Sequence, residues 1–165
     1  MRRILGIDPG NAIMGWGVID YDDTQLIHVA NGVFTTKKDT PEMQRIHYIF
    51  MSLEDLIKSF HPDVCSVEEL YIGRNVSSVV NVAQARGSIL LCLSMNDIPT
   101  FEYHPMTVKK SVTGNGKANK GCVQSCVSRY LGLTEIPKPD DAADALGIAL
   151  CHVFRLRKGE RSVYT

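Results

Sequence analysis

The spacing of hydrophobic positions changes at about residue 40 of this 165-residue chain. Before it, apolar runs at residues 3–8, 14–20 and 25–36 are separated by short polar turns, which predicts three strands in an antiparallel meander. After it, apolar residues recur every three or four positions from Met43 to Ile57. This second pattern predicts a helix that starts at Thr40-Pro41-Glu42 and stops at His61-Pro62.

The rest of the chain alternates between strand and helix patterns. The predicted elements are strands at 63–67 and 98–103, a long helix at 75–95, short helices at 107–112 and 121–131, and a last helix from Asp140 to about Leu156. The order βββαβαβ followed by helices predicts an α/β fold with a mixed five-stranded sheet flanked by helices. Residues 1–156 are expected to form one domain, and residues 157–165 a basic tail.

The predicted helix at 75–95 is apolar on more than one face. Such a helix lies deep in a core or packs on a second subunit. In so small a domain the second interpretation is favoured, which predicts a homodimer.

Composition excludes few functions. Hydrophobic residues make up 44% of the chain, an ordinary globular proportion. No apolar run could span a bilayer or form a signal peptide, so a cytoplasmic protein without a membrane partner is expected. The five cysteines lack paired spacing and are expected to be reduced thiols rather than zinc ligands.

Charge is more informative in its distribution than in its sum, which is zero. No acid occurs between Glu102 and Glu135, and a second basic group closes the chain. The basic residues of the two groups are Lys109, Lys110, Lys117, Lys120 and Arg129, and Arg155, Arg157, Lys158 and Arg161. Each group alone is typical of a solvated face, but together they would let a neutral protein grip a polyanion.

Candidate chemistry lies in carboxylates at the ends of predicted elements. Asp8 ends the first strand and Glu68-Glu69 end the fourth, where α/β sheets place ligands. Alternation sends Glu68 and Glu69 to opposite faces, so one of them can face Asp8. Taken singly, Asp8-Pro9-Gly10 is also good turn chemistry, and the two glutamates could be a solvated strand end.

Two further acids, Asp141 and Asp144, are spaced i and i+3 and share one face of the last helix. Acids in a first turn are stabilised by the helix dipole, so this position alone has a structural explanation. The small residues that follow, among them Ala145, Gly147 and Ala149, would let this helix approach the sheet closely. A closely packed helix end with two acids is expected to lie over a site.

These four carboxylates, Asp8, Glu68 (or Glu69), Asp141 and Asp144, could meet in one crevice. Like charges about 4 Å apart repel by roughly 1 kcal/mol in bulk water and about 4 kcal/mol in a partly shielded site. Divalent cations remove that penalty, and hard oxygen ligands favour Mg²⁺ or Mn²⁺. The sequence therefore predicts a metal-dependent nuclease, with two ions in each active site.

Four motifs in order resemble the RuvC Holliday junction resolvases over nearly the whole chain, to about residue 155. They are Gly6-Ile7-Asp8-Pro9-Gly10, Val67-Glu68-Glu69-Leu70-Tyr71, Gln84-Ala85-Arg86-Gly87 and Asp141-Ala142-Ala143-Asp144-Ala145-Leu146. The resemblance implies an RNase H-like fold, a homodimer through the helix at about 75–95, and Mg²⁺- or Mn²⁺-dependent paired nicking of four-way DNA junctions in recombination and repair. A branch-migration motor complex is left open as a further partner.

The resemblance also implies roles for individual residues. It selects Glu68 over Glu69 and makes Asp8, Glu68, Asp141 and Asp144 both catalytic residues and metal ligands. Lys109 and Lys120 match the DNA-contacting lysines of the family, and Lys110, Lys117 and Arg74 are further DNA-binding candidates. Tyr71 stands where the family usually has a phenylalanine that helps to hold the opened junction, and Arg74 and Asn75 begin the helix that forms the family's dimer interface.

Three alternatives stay open at this point. One is an RNase H-like nuclease that cuts other branched DNA without strict junction selectivity. Another is an actin-like ATPase, since Gly6-Ile7-Asp8-Pro9-Gly10 also resembles that superfamily's phosphate loop, but the chain is too short for the required second lobe. The last is a catalytically inactive binding module, which the intact set of acids disfavours.

Overall fold

The computed structural model describes residues 1–70 and 76–159. Their elements are β1 (Arg2–Asp8), β2 (Ile13–Tyr21), β3 (Leu26–Thr35), α1 (Glu42–Phe60), β4 (Val64–Glu68), α2 (Val76–Met95), β5 (Thr100–Tyr103), α3 (Pro105–Thr113), α4 (Lys120–Tyr130) and α5 (Asp140–Arg157). Within these residues, five strands form one sheet in the order β3-β2-β1-β4-β5. The predicted α/β class and mixed sheet are confirmed.

The direction of the strands follows the lengths of their connections. Short turns join β1, β2 and β3, which pair antiparallel as the predicted meander. The chain passes through β2, β3 and α1 between β1 and β4, and through α2 between β4 and β5, and both of these pairs are parallel. As a result, β1, β4 and β5 end at the same edge of the sheet, which is therefore the edge where loops can assemble a site.

Side chains of alternate residues divide the core into two layers. Leu5 and Ile7 of β1 pack with α1 and α2 on one face, whereas Ile4 packs with α4 and α5 on the other. In β4, Cys65 and Val67 join the first layer and Val64 joins the second. The central strands β1 and β4 are thus covered by helices on both faces.

Two further findings concern the helices and the cysteines. None of the helices in the described part of the chain is both long and apolar enough to cross a membrane. All five cysteines lie in that part and are free thiols; Cys65, Cys92 and Cys151 are buried, Cys126 is partly buried and Cys122 is exposed.

Candidate active site

Asp8 and Glu68 are the last residues of two neighbouring parallel strands. The parallel register pairs Ile7 with Val67, so Asp8 and Glu68, the next residues of the two strands, lie side by side at the edge of the sheet. Side chains at every second residue of a strand point to the same face of the sheet. Asp8 is therefore on the face of Ile4, and Glu68 on the face of Val64, so both side chains are directed to the layer that contains α5. Both are partly buried, whereas Glu69 is exposed.

Glycines on the strands determine how closely α5 approaches these acids. A Cβ atom on Gly15, which pairs with Asp8, would lie 2.0 Å from the carbonyl oxygen of Asp141. A Cβ on Gly6 would lie 2.1 Å from the carbonyl oxygen of Ala145, and one on Gly17 would clash with Leu146. The first two turns of α5 are therefore in backbone contact with β1 and β2.

The small residues of α5 contribute to this packing only in part. Ala149 does face Gly6, but Gly147 faces Val123 and Val127 of α4 instead of the sheet. The expectation that Gly147 lets the helix press on the sheet was therefore wrong. Residues Gly15 and Gly17 were not recognised as packing residues from the sequence, although their i, i+2 spacing on a strand was the available signal.

The four predicted acids interact electrostatically, and we call them the carboxylate cluster: Asp8, Glu68, Asp141 and Asp144. Burial and then the charges of Glu68, Asp144 and Asp141 raise the pKa of Asp8 to about 8. Burial and then the charge of Asp144 raise the pKa of Glu68 to about 7. Burial also raises the pKa of Asp144, against the opposing effect of Lys120. The cluster is therefore under mutual repulsion that a cation would relieve.

A basic side chain already neutralises part of this charge. The Nζ atom of Lys120 lies 3.0 Å from Oδ2 of Asp144 and 3.4 Å from Oδ2 of Asp140. Lys120 is the first residue of α4, whose N-cap Asn119 accepts a hydrogen bond from the backbone N–H of Cys122. Within residues 1–70 and 76–159, no three His, Cys, Asp and Glu side chains are grouped closely enough to hold a metal ion, so the four acids are neighbours without a shared ligand geometry.

The other predicted DNA-binding lysines separate into two places. Lys109 lies with Glu68, Asp144 and Lys120 around one hollow, and its charge partly offsets the raised pKa of Glu68. Lys110, its neighbour on α3, instead borders a hollow with Arg155 and Lys158. Lys117 is exposed in the connection between α3 and α4. The structure thus brings Lys109 and Lys120, but not Lys110, to the carboxylate cluster.

Arg86 was noted in the sequence only as part of a motif, yet it shares a hollow with Asp8 and Glu68. Its guanidinium forms an ion pair of 2.5 Å with Glu102 of β5, and its Nε is buried without a hydrogen-bond partner among the described residues. The guanidinium therefore keeps donor capacity beside the carboxylates.

Three predicted residues, Tyr71, Arg74 and Asn75, lie outside the described residues, as does Arg161 of the basic tail.

Comparison with solved structures defines the class of the protein. The chain superposes on a Thermus thermophilus RuvC structure, solved in complex with Holliday junction substrate, with a TM-score of 0.92 and 32% sequence identity over 98% of this chain and 99% of that one. The yeast mitochondrial Holliday junction resolvase Ydc2, at 15% identity and a TM-score of 0.67, shows the same fold. The fold is therefore that of the RNase H-like resolvases.

Sequence comparison then identifies the family. The family model "Crossover junction endodeoxyribonuclease RuvC" matches residues 4–152. The crossover junction endodeoxyribonuclease RuvC of Thermotoga petrophila is 44% identical over 155 residues, 94% of each chain. That of Chloroflexus aggregans is 46% identical over 152 residues, 92% of this chain and 93% of the relative. The chain belongs to the RuvC family of crossover junction endodeoxyribonucleases.

Proposed function

We propose that this protein is a structure-selective endonuclease that resolves four-way (Holliday) DNA junctions by paired symmetric nicks. The observation that supports this most directly is the carboxylate cluster, formed where β1 and β4 end under the first turns of α5. It occurs in a chain that is 32% identical to a T. thermophilus RuvC solved with a Holliday junction.

Asp8, Glu68, Asp141 and Asp144 would be the catalytic acids and would hold divalent cations. The fit rests on donor chemistry: all four offer carboxylate oxygens, which suit Mg²⁺ or Mn²⁺, and the raised pKa values of Asp8 and Glu68 reflect repulsion that bound cations would remove. When bound, two such ions would supply an activated water and stabilise the leaving oxygen of a phosphodiester. Each acid would have to be ionised to serve as a ligand.

Lys120 would act as the counter-ion of the cluster in the absence of metal. Its Nζ lies 3.0 Å from Oδ2 of Asp144, an oxygen that a cation could otherwise bind. Lys120 is about half exposed and extends from the first turn of α4, so it can turn from Asp144 to a DNA phosphate. Lys109, across the same hollow, would contact the backbone as well.

The proposed homodimer is supported by a second face of α2. One face of this helix is buried against the core through Ala85, Ile89 and Cys92. The opposite face is exposed, and a Cβ on its Gly87 would contact nothing within 4 Å. Apolar residues on that face are half or more exposed, namely Val80 at 51%, Leu91 at 56% and Met95 at 65%. A second copy of the chain would cover this stripe, and a two-fold dimer would match a two-fold junction.

The test is a nicking assay on a four-way junction, a flap and a linear duplex, with and without Mg²⁺. We expect symmetric nicks on the junction only, dependent on metal. Asp144→Asn should lower the rate roughly a thousandfold or more because a ligand worth several kcal/mol of transition-state stabilisation is lost. The matched control is Asp140→Asn, in the same turn and also paired with Lys120, which should cut at nearly the wild-type rate.

The outcomes distinguish the remaining alternative. Equal cleavage of junction and flap would favour an RNase H-like nuclease for branched DNA in general. Normal cutting by Asp144→Asn in Mg²⁺ would contradict the assignment of the site.

A further inference from the structure

One lysine of the first basic group and two residues of the second lie around one hollow away from the carboxylate cluster. Lys110 of α3 and Arg155 and Lys158 at the end of α5 border a cavity of about 340 Å³, together with the hydroxyl-bearing Thr107 and Ser111. None of the described residues that line it is acidic. We call it the distal basic hollow and define it by Lys110, Ser111, Arg155 and Lys158.

The guanidinium in this hollow is held in place by aromatic packing. The Cζ atom of Arg155 lies 5.7 Å from the ring centroid of Tyr103, within the range of a cation–π contact. The Tyr103 hydroxyl is in turn hydrogen-bonded to Nδ1 of the buried His152, at 2.6 Å. Lys110 and Lys158, by contrast, are exposed. The hollow therefore combines one oriented guanidinium with two exposed ammonium groups, a combination suited to phosphate.

The hollow lies on the same side of α5 as the carboxylate cluster. Arg155 follows Asp144 by eleven residues, which is close to three full helical turns and places the two positions on one face. At about 1.5 Å per residue they are about 16 Å apart along the helix. A duplex rises 3.4 Å per base pair, so for an arm that runs along α5 this distance corresponds to about five base pairs.

Helix capping accounts for part of this arrangement. Lys110 and Arg155 lie in the last turns of α3 and α5, and Lys158 caps α5, where cations stabilise a helix dipole. Capping does not require that two helix ends direct their cations to one hollow, which here also holds the hydroxyls of Thr107 and Ser111 beside Met106 and Phe154. A helix cap changes only the stability of the protein, whereas a phosphate site changes the salt dependence of DNA binding. Measurements of Tm and of salt dependence therefore distinguish the two roles.

We propose that the distal basic hollow binds the phosphate backbone of a junction arm about five base pairs from the bond that is cut. The inference rests on the proposed function and extends it by a second DNA contact for each protomer. In this proposal Arg155 and Lys158 also bind the substrate.

The test measures junction binding by the full-length protein in EDTA, where cutting is blocked, between 50 and 200 mM salt. We compare wild type with Lys110→Gln, Lys158→Gln and the double variant. The matched control is Lys58→Gln on α1, an exposed lysine on the other face of the sheet, whose ion-pair partner among the described residues is Glu54, one turn away. Each hollow variant should reduce the slope of log K against log salt by about 0.9, and Lys58→Gln should not change it.

A second substrate locates the contact. Neutral methylphosphonates four to six nucleotides from the cleavage position should abolish the difference between wild type and the double variant. The inference would be overturned if the double variant had the wild-type salt slope, or if the affinity difference between wild type and the double variant persisted on the methylphosphonate substrate. A lower Tm with an unchanged slope would show that the two lysines act only as helix caps. If wild type itself does not prefer junctions to duplex, the proposed function fails instead.

Discussion

Replacing Asp8 by asparagine should stabilise the metal-free protein. The pKa of Asp8 is raised to about 8, mainly by burial, whereas an unfolded-state aspartate has a pKa of about 3.9. Between these values the folded state holds a proton that the unfolded state has released, so stability falls as pH rises. At pH 7, about three units above the unfolded value, the cost is about 4 kcal/mol, and at pH 5 about 1.5 kcal/mol. A neutral amide avoids this cost.

The assay is thermal unfolding followed by circular dichroism in EDTA. For a chain of this length about 4 kcal/mol corresponds to a Tm increase of roughly 8–16 °C at pH 7, and the gain should shrink at pH 5. Asp39→Asn, at an exposed turn position, is the control and should leave Tm unchanged. Added Mg²⁺ at about one hundred times its Kd should stabilise wild type by about 2.7 kcal/mol and Asp8→Asn by less.

Two results would refute this reasoning. If Asp8→Asn were no more stable than wild type in EDTA at pH 7, the carboxylate cluster would not be under the repulsion inferred from its burial and charges. If Mg²⁺ stabilised both proteins equally, Asp8 would not be a ligand.

Three other predictions concern the neighbouring surfaces. Lys120→Ala should weaken junction binding and reduce its salt slope by about 0.9, because one phosphate contact is lost; an unchanged slope across the salt series would remove Lys120 from the interface. Leu91→Lys places a charge on the exposed face of α2 and should give a folded monomer in analytical ultracentrifugation. The control Met43→Lys, at a position 83% exposed on α1, should remain a dimer. Equal masses for the two variants would show that this face of α2 is not the dimer interface. Arg86→Ala should slow single-turnover nicking about tenfold, because a hydrogen-bond donor beside the carboxylates is lost. Glu102→Gln removes only the ion-pair partner of the guanidinium and should slow nicking less. Wild-type rates in both variants would mean that the ion pair has a purely structural role.

Strand and helix patterns predicted the fold because most segments showed a clear period of two or of three to four residues, and the helix at 75–95, apolar on more than one face, was long enough to be recognised. Strand ends then placed Asp8 and Glu68 at one edge of the sheet, and i, i+3 spacing placed Asp141 and Asp144 on one helix face. Alternation alone left Glu68 and Glu69 equivalent, because the face that Asp8 occupies depends on the layer in which α5 packs. That layer is a tertiary property.

Other features of the site depend on contacts between residues far apart in the chain. The ion pair of Lys120 with Asp144 joins the starts of two helices, and that of Arg86 with Glu102 joins a helix to an edge strand. Charge counting identified Lys110 and Lys109 as one basic group, but adjacent helical positions point in different directions, and the structure directs them to separate hollows.

The contact of Gly15 with the Asp141 carbonyl also affects how this enzyme can vary. Exchanging a carboxylate leaves the backbone undisturbed, so inactive proteins that still fold should be common in a mutational scan at those positions. At Gly6 and Gly15 any side chain must push α5 from the sheet, which separates helix acids from strand acids and opens the core at once. Folded but inactive variants should therefore be rare at Gly6 and Gly15. Selecting variants for solubility alone would then also preserve the distance between the strand acids and the helix acids.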